Sequence, residues 1–353
     1  MANLPRPRPL RGARALIAAL LPVLVAGSLS ACSTGATATD DAAPTSSEAD
    51  AGAFPVTVEH AYGSTTIEEE PTRVATLGWS DHDAVLSLGV VPVGAVQITW
   101  GGNEHGSTPW FDEALAELGG EQPTRYADAD GAPIDEIAKL EPDLILATNS
   151  GITQAEYDKL SRLAPVMAFP GEPWVTSWED SLAIAGEALG RAELASEVRR
   201  DTEDAIAQAA EQNPQVVGKS FVFASLSTAD MSKVDYYTPE DNRPRLLAAL
   251  GMVNAPVIER ISKPGQFYGT LSAERAPDLA SDVFITYAET GDDLATFRDD
   301  PLLGRIPALR SGHVLASTNQ TDALGLSAPS PLAIPYAMEH FVPLVARAVD
   351  GDA

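Results

Sequence analysis

From Ser177 to Gln212 the chain carries no proline, although 27 prolines are spread over its 353 residues. Within that stretch Leu182, Ala185, Ala188, Leu189, Leu194, Val198 and Ala205 recur at helical spacing. The pattern predicts one helix about 50 Å long, or two abutting ones, with Gly186 and Gly190 as weak points and Gly190 as the place for a kink. Whatever folds on either side must be organised around this rod.

Before the rod, short β-rich runs alternate with helical patterns. VTVEHAYGSTTIEE reads as a hairpin turning at Tyr62-Gly63-Ser64. RVATLGW, VVPVGAV, DLILAT and PVMAF read as strands. SDHDAVLSLG, PIDEIAKL and TQAEYDKLSRL read as helices, with Ser80 and Thr153 as N-caps. Such alternation predicts βαβ units and a mainly parallel sheet. After the rod the order returns. VATLGWSDHD (74–83) is echoed by VFASLSTADM (222–231), and AVLSLGVVPVGAV (84–96) by LLAALGMVNAPVI (246–258). LEPDLILAT (140–148) is echoed by LASDVFITY (279–287), and APVMAF (164–169) by SGHVLA (311–316). Four echoes in one order predict two similar lobes. The expected fold is therefore α/β: two similar βα lobes with mainly parallel sheets, joined by one long linking helix, with a ligand cleft between them. The lobes are placed at 54–176 and 214–353 and the linking helix at 177–213. SPLAIPYAMEHFVPLVARAV closes the chain as a helix or helix pair.

Residues 2–14 carry four arginines and no acid, and Ala15–Ala31 is almost wholly apolar, as in a secretory signal. That run is short for a membrane span, and no basic cluster follows it. The signal is placed at 1–31. It ends in Leu29-Ser30-Ala31-Cys32, which resembles a bacterial lipobox and implies lipidation (palmitate among the acyl groups) of Cys32, the sole cysteine, after cleavage before it. Residues 32–53 lack large apolar side chains and read as a disordered tether.

Without its four-arginine leader the chain would carry 19 basic and 50 acidic residues, a balance of −31. That excludes nucleic acid, whose phosphates need Lys and Arg, and disfavours broad adhesion to an anionic membrane. One cysteine gives no disulfide framework. No P-loop or GxGxxG is present, and GWSDH is not a GxSxG elbow, so an enzyme is not expected. Asp81, His82 and Asp83 are adjacent on a predicted helix and point apart, and His60, His105, His313 and His340 show no metal-ligand spacing; no metal site is expected.

PTRVATLGWSDHDAVLSLGVVPVGAV, IDEIAKLEPDLILATNSGITQAEYDKLSRLAPVMAF and GTLSAERAPDLASDVFITY resemble the iron-siderophore substrate-binding lipoproteins of ABC importers, relatives of the ferric hydroxamate and vitamin B12 binding proteins. The binding domain spans about 73–350, and the wider likeness 54–350. The resemblance implies a helix-linked pair of lobes with little hinge closure. It implies capture of a ferric siderophore that brings its own iron, so no separate cofactor, and delivery to an ABC permease by a monomer held outside the cell membrane. A Gram-positive cell is favoured, because Ser33 after Cys32 would otherwise direct sorting to an outer membrane. It also implies that one glutamate of each lobe docks on the permease; Glu156 and Glu274 are the matching positions. A cobalamin or haem binder of the same fold is the nearest alternative, a lipid-anchored hydrolase an alternative of another class, and a zinc-capturing protein a third that no His-rich loop supports.

A ferric siderophore suits flat aromatic walls and forked cationic donors. The candidates are Trp79, Trp100, Trp110 and Trp174, with Trp100 and Trp110 foremost, and Tyr236, Tyr237, Arg243, Phe267 and Tyr268 in predicted loops of the second lobe. Trp178 belongs to the entry of the linking helix, and Arg245 to a helix surface.

Overall fold

The computed structural model describes residues 49–352. The signal at 1–31, lipidation at Cys32 and the tether as far as residue 48 lie outside the described residues.

A hairpin opens the fold. Strand β1 (Val56–His60) pairs antiparallel with β2 (Gly63–Ile67) across Ala61-Tyr62, so the turn comes one residue earlier than expected. The first lobe then alternates as its periodicity requires: β3 (Val74–Thr76), α1 (Asp81–Ser87), β4 (Gly94–Val96), α2 (Pro109–Glu117), β5 (Thr124–Tyr126), α3 (Ile134–Lys139), β6 (Leu144–Ala147), α4 (Gln154–Leu160) and β7 (Val166–Ala168). Its sheet has the order β5-β4-β3-β6-β7 and is parallel throughout.

The proline-free stretch forms two helices rather than one: α5 (Trp178–Ala188) and α6 (Ala192–Gln212). Gly190 breaks it with φ +66, a left-handed value that glycine adopts without strain. A Cβ there would meet the Phe54 ring at 2.6 Å. α5 packs on α1 and the hairpin, and so belongs to the first lobe. Only α6 runs between the lobes, which shortens the link to about 30 Å. The order of the chain also begins earlier than residue 54. Asp50 donates its N–H to Gly190 O (2.7 Å) and its carboxylate accepts from Glu193 N (3.2 Å), capping α6 where Arg191 supplies no side-chain cap.

The second lobe comprises β8 (Ser220–Ser225), β9 (Lys233–Tyr237), α7 (Asn242–Ala249), β10 (Val253–Asn254), α8 (Pro256–Ile261), β11 (Tyr268–Ser272), β12 (Val283–Tyr287), α9 (Asp293–Asp299), α10 (Pro307–Ser311) and β13 (Val314–Ser317). Helices α11 (Gln320–Ser327), α12 (Ala333–His340) and α13 (Val342–Asp350) close the chain, the last two as the expected pair. The parallel part of the sheet runs β10-β8-β12-β13, the order of β4-β3-β6-β7. The strands of the two lobes thus pair off as β3 with β8, β4 with β10, β6 with β12 and β7 with β13, but the helical half of the first echo does not: Ser80–Asp83 leads into α1, whereas Thr228–Met231 is a turn before β9. The equivalence extends to side chains. Asp143, just before β6, accepts from the N–H groups of Thr72 and Arg73 (both 2.8 Å); Asp282, just before β12, accepts from Ser220 N (2.7 Å). Each clamps the start of its neighbouring strand.

One departure reshapes the second lobe. Where the first passes directly from β3 to α1, the second inserts β9, antiparallel to β8, with β11 antiparallel beyond it. Its sheet is therefore mixed. At the base, a single apolar cluster runs from Val74 and Leu144 of the first lobe, through Leu182 and Ile206, to Phe221, Phe223 and Ile285 of the second. Closing the lobes would have to shear this close-packed core.

Candidate ligand-binding cleft

The mouth of the cleft lies at the carboxyl ends of the parallel strands, where open α/β sheets gather ligands. It has two chambers, of about 570 and 240 Å³. Trp79 and Arg243 line both. Trp100, Tyr237, Tyr287, Glu289 and Gln320 line the larger, with Ser225 to Thr228; Asn149, Trp174, Asn242 and Phe267 line the smaller.

The first wall is set by Asp81. This carboxylate is buried and accepts from Gly78 N (3.1 Å), Thr148 N (2.8 Å) and Thr148 Oγ1 (2.6 Å), tying the end of β3 to the end of β6. Burial pushes its pKa up, against the pull of those donors. A side chain on Gly78 would overlap the Asp81 carboxyl, so glycine is required there. The tie presents Trp79, whose N–H donates to Asn149 O (3.1 Å), to the cleft. Trp174 meets Trp79 edge to face at 6.5 Å. Trp174 sits at φ +65, a strained value for a non-glycine residue, held by its N–H to Ser150 O (3.2 Å) and by its ring over Gly151.

The second wall centres on Arg243, in the first turn of α7 and largely buried. Its Nε donates to the Tyr287 hydroxyl (2.8 Å), one Nη donates to Asp241 (2.7 Å), and the guanidinium lies 4.1 Å from the Tyr237 ring centre and 5.8 Å from that of Trp79. Burial works against the charge, but Tyr287, Asp241 and Tyr237 raise the pKa, and Arg243 is a cation at any working pH. Burial pushes Asp241 the other way, toward protonation, and Arg243 opposes it. Two N–H groups of the fork are engaged; the rest are available to a ligand.

The lobes are pinned around this cleft. Asn242 Nδ2 donates to Thr176 O (3.0 Å), Arg245 donates to Val175 O (2.6 Å), and Thr321 Oγ1 donates to Gly101 O (2.9 Å). Trp100 meets Tyr287 edge to face at 5.2 Å across the gap. Arg245 is thus a cross-lobe tie rather than a surface residue.

Of the nine residues expected at the ligand, six line the chambers: Trp79, Trp100, Trp174, Tyr237, Arg243 and Phe267. Three do not. Trp110 is buried in the contact of α2 with α12, its Nε1 donating to Asp83 (2.9 Å) and its ring 5.0 Å from that of Tyr336. Tyr236 and Tyr237 lie on β9, not in a loop, so they point to opposite faces. Tyr236 goes into the core and donates to Ile261 O (3.3 Å). Tyr268 stands exposed on edge strand β11, against Phe267 but outside both chambers. Tyr287, Asn149 and Glu289 were missed; the echo of LEPDLILAT (140–148) by LASDVFITY (279–287) ends on Tyr287, with Asn149 and Glu289 just past the ends of the equivalent strands. No cluster of three or more metal-ligating side chains occurs among the described residues.

Residues 74–321 match the family model described as periplasmic binding protein. The chain belongs to that family. Its members bind substrates for transport and are not enzymes, and they work outside the cytoplasm. PiaA of Streptococcus pneumoniae, solved in complex with ferrichrome, is 36% identical with a TM-score of 0.79, covering 84% of this chain and 99% of that one. YfiY of Bacillus subtilis, described as a probable siderophore-binding lipoprotein, is 28% identical over 291 residues, 78% of this chain and 85% of that one. The Fe(3+) dicitrate-binding periplasmic protein FecB of Escherichia coli is 28% identical over 207 residues, 58% of this chain and 63% of that one. The two-lobe fold agrees with this membership.

Proposed function

We propose that this protein captures a ferric siderophore in the cleft between its lobes and hands it to an ABC permease. The carrying observation is the cleft itself. A largely buried guanidinium with free N–H groups sits among Trp79, Trp100, Trp174, Tyr237, Tyr287 and Phe267, a combination fitted to a bulky complex with oxygen ligands and apolar linkers. The ferrichrome held by PiaA and the description of YfiY support the same reading. The test is tryptophan fluorescence of the full chain in detergent, corrected for ligand absorbance, against ferric siderophores, haem, cobalamin and free zinc. Saturable quenching by a ferric siderophore at submicromolar concentration, stronger than by its iron-free form, is expected. Haem or cobalamin as the one tight ligand would replace it with the sister activity.

The permease contact needs a revised pair of acids. Glu156 caps its own helix: its carboxylate accepts from Thr153 N and Oγ1 (both 2.7 Å) and from Ala132 N (2.8 Å). Burial alone would raise its pKa, but these donors outweigh it and hold the carboxyl below its ordinary value. Both oxygens are occupied. Glu274 is exposed in the turn leading to β12, and the strand equivalence of Asp143 with Asp282 puts Asp135, exposed in the first turn of α3, at the matching place in the first lobe. Asp135→Ala with Glu274→Ala should leave ligand affinity intact and reduce uptake by cells at least tenfold, as roughly expected for two lost charge contacts. Unchanged uptake would remove these acids from the interface.

Cys32, as the lipid-bearing residue, would hold the protein on the outer face of a Gram-positive membrane; more than one acyl chain is needed for stable anchoring. Cys32→Ala should move the protein out of the membrane fraction, and its retention there would refute the anchor.

A further inference from the structure

Among the described residues, Arg243 is the one cation lining either chamber. It is already paired with Asp241 at 2.7 Å. Two further acids, Glu289 and Asp293, line the larger chamber. Asp293 is spent on its own loop: it accepts from Thr290 Oγ1 (2.6 Å), Glu289 N (2.7 Å) and Thr290 N (3.2 Å), which keep it ionised. Glu289, at the carboxyl end of β12, is exposed, and its carboxylate has no protein partner among the described residues. The site therefore offers a bound complex one neutralised cation and a free negative charge, inside a chain whose formal net charge is −27.

The net charge of a ferric complex follows from its ligands. Three hydroxamates, each singly negative, cancel the ferric ion. Three catecholates, each doubly negative, leave the complex triply negative, and ferric citrate complexes are anionic as well. A triply negative guest entering here would face Glu289 unscreened by any second cation, and the field of the whole protein would slow its approach. A neutral tris-hydroxamate meets neither cost. Its oxygens can still accept from the uncommitted N–H groups of Arg243, and its linkers can lie on the tryptophans.

We infer that the cleft is built for a ferric tris-hydroxamate, and that Glu289 is the residue that excludes anionic ferric complexes. The inference rests on the siderophore reading above. The experiment titrates the full chain with ferrichrome (a neutral ferric tris-hydroxamate), a ferric tris-catecholate and ferric citrate, for wild type, Glu289→Gln and Glu289→Lys. The hydroxamate should bind about 100-fold more tightly than the catecholate in the wild type. That ratio should narrow about tenfold in Glu289→Gln and further in Glu289→Lys, through tighter catecholate binding. Because the side chain is exposed and makes no hydrogen bond, both variants should fold. A catecholate or citrate complex binding as tightly as the hydroxamate overturns the proposal and leaves siderophore capture standing. A ratio unchanged across Glu, Gln and Lys overturns the role of Glu289. Failure of all three ferric complexes, with haem or cobalamin bound, overturns the siderophore reading itself.

Discussion

Arg243→Ala should weaken ligand binding by a factor of about 100 or more and lower stability by about 3–5 kcal/mol. Two losses combine. The ligand loses the one cation that lines the cleft among the described residues, and Asp241, 3% exposed, is left as an unpaired buried carboxylate. The Tyr287 hydroxyl also loses the donor that holds it between Arg243 and Ser327, to which it lies at 2.6 Å. Binding and folding must therefore be separated. Arg243→Lys supplies that control: it keeps a charge for Asp241 but has no second nitrogen to serve Tyr287 and the ligand together. Its stability by urea unfolding should fall by less than half as much as that of the alanine variant, while ligand affinity still drops about tenfold or more. Wild-type affinity in Arg243→Lys would show that the fork makes no contact with the ligand.

Trp110→Ala should cost about 3–5 kcal/mol in urea unfolding, the range for emptying an aromatic site in a packed core. Trp110 fills the space between α2 and α12 with Phe111, Leu324 and Ala333. Its indole N–H also serves Asp83, which takes a second donor from Ser330 (2.6 Å) and so links the first lobe to the closing helices. Trp110→Phe, which keeps most of the volume and drops the N–H, should cost about 1–3 kcal/mol. In that variant the amplitude of ligand quenching should match wild type, because the indoles lining the cleft are Trp79, Trp100 and Trp174. A loss of the quenching signal would return Trp110 to the cleft.

These two residues show what could be read before the fold was known. Both were expected at the ligand, Trp110 as a flat aromatic wall and Arg243 as a forked donor in a predicted loop, where sites are often built. Arg243 is there because α7 begins at the carboxyl edge of the sheet. Trp110 is not, because it opens a helix whose buried face packs on α12, and its predicted loop gives no sign of which way that helix faces. Tyr236 and Tyr237 make the point more sharply. Adjacent aromatics look equivalent in a loop. On β9 the pleat sends one into the core and one to the cleft, and only pairing with β8 and β11 decides which. Glu156 repeats it for charge: Thr-x-x-Glu is a capping box by sequence, and the third donor, Ala132 N, comes from a loop 24 residues away.

What the sequence by itself determined was local and periodic. Alternating β and helical runs dictated α/β lobes, since each pattern can bury its apolar face only against the other. Ordered echoes dictated two of them, and Asp143 and Asp282 repeat the same clamp because the same strand pairing recurs. The proline-free stretch dictated a helical connection, and Gly190 its break. What only the tertiary structure decided was direction and partnership. Which tryptophans face the cleft, that Arg243 is neutralised by Asp241 while Glu289 stands alone, and that one core runs beneath both lobes all depend on contacts between segments far apart in the chain. No local pattern encodes such contacts, because burial, and with it the worth of every charge and ring, is a property of the assembled fold.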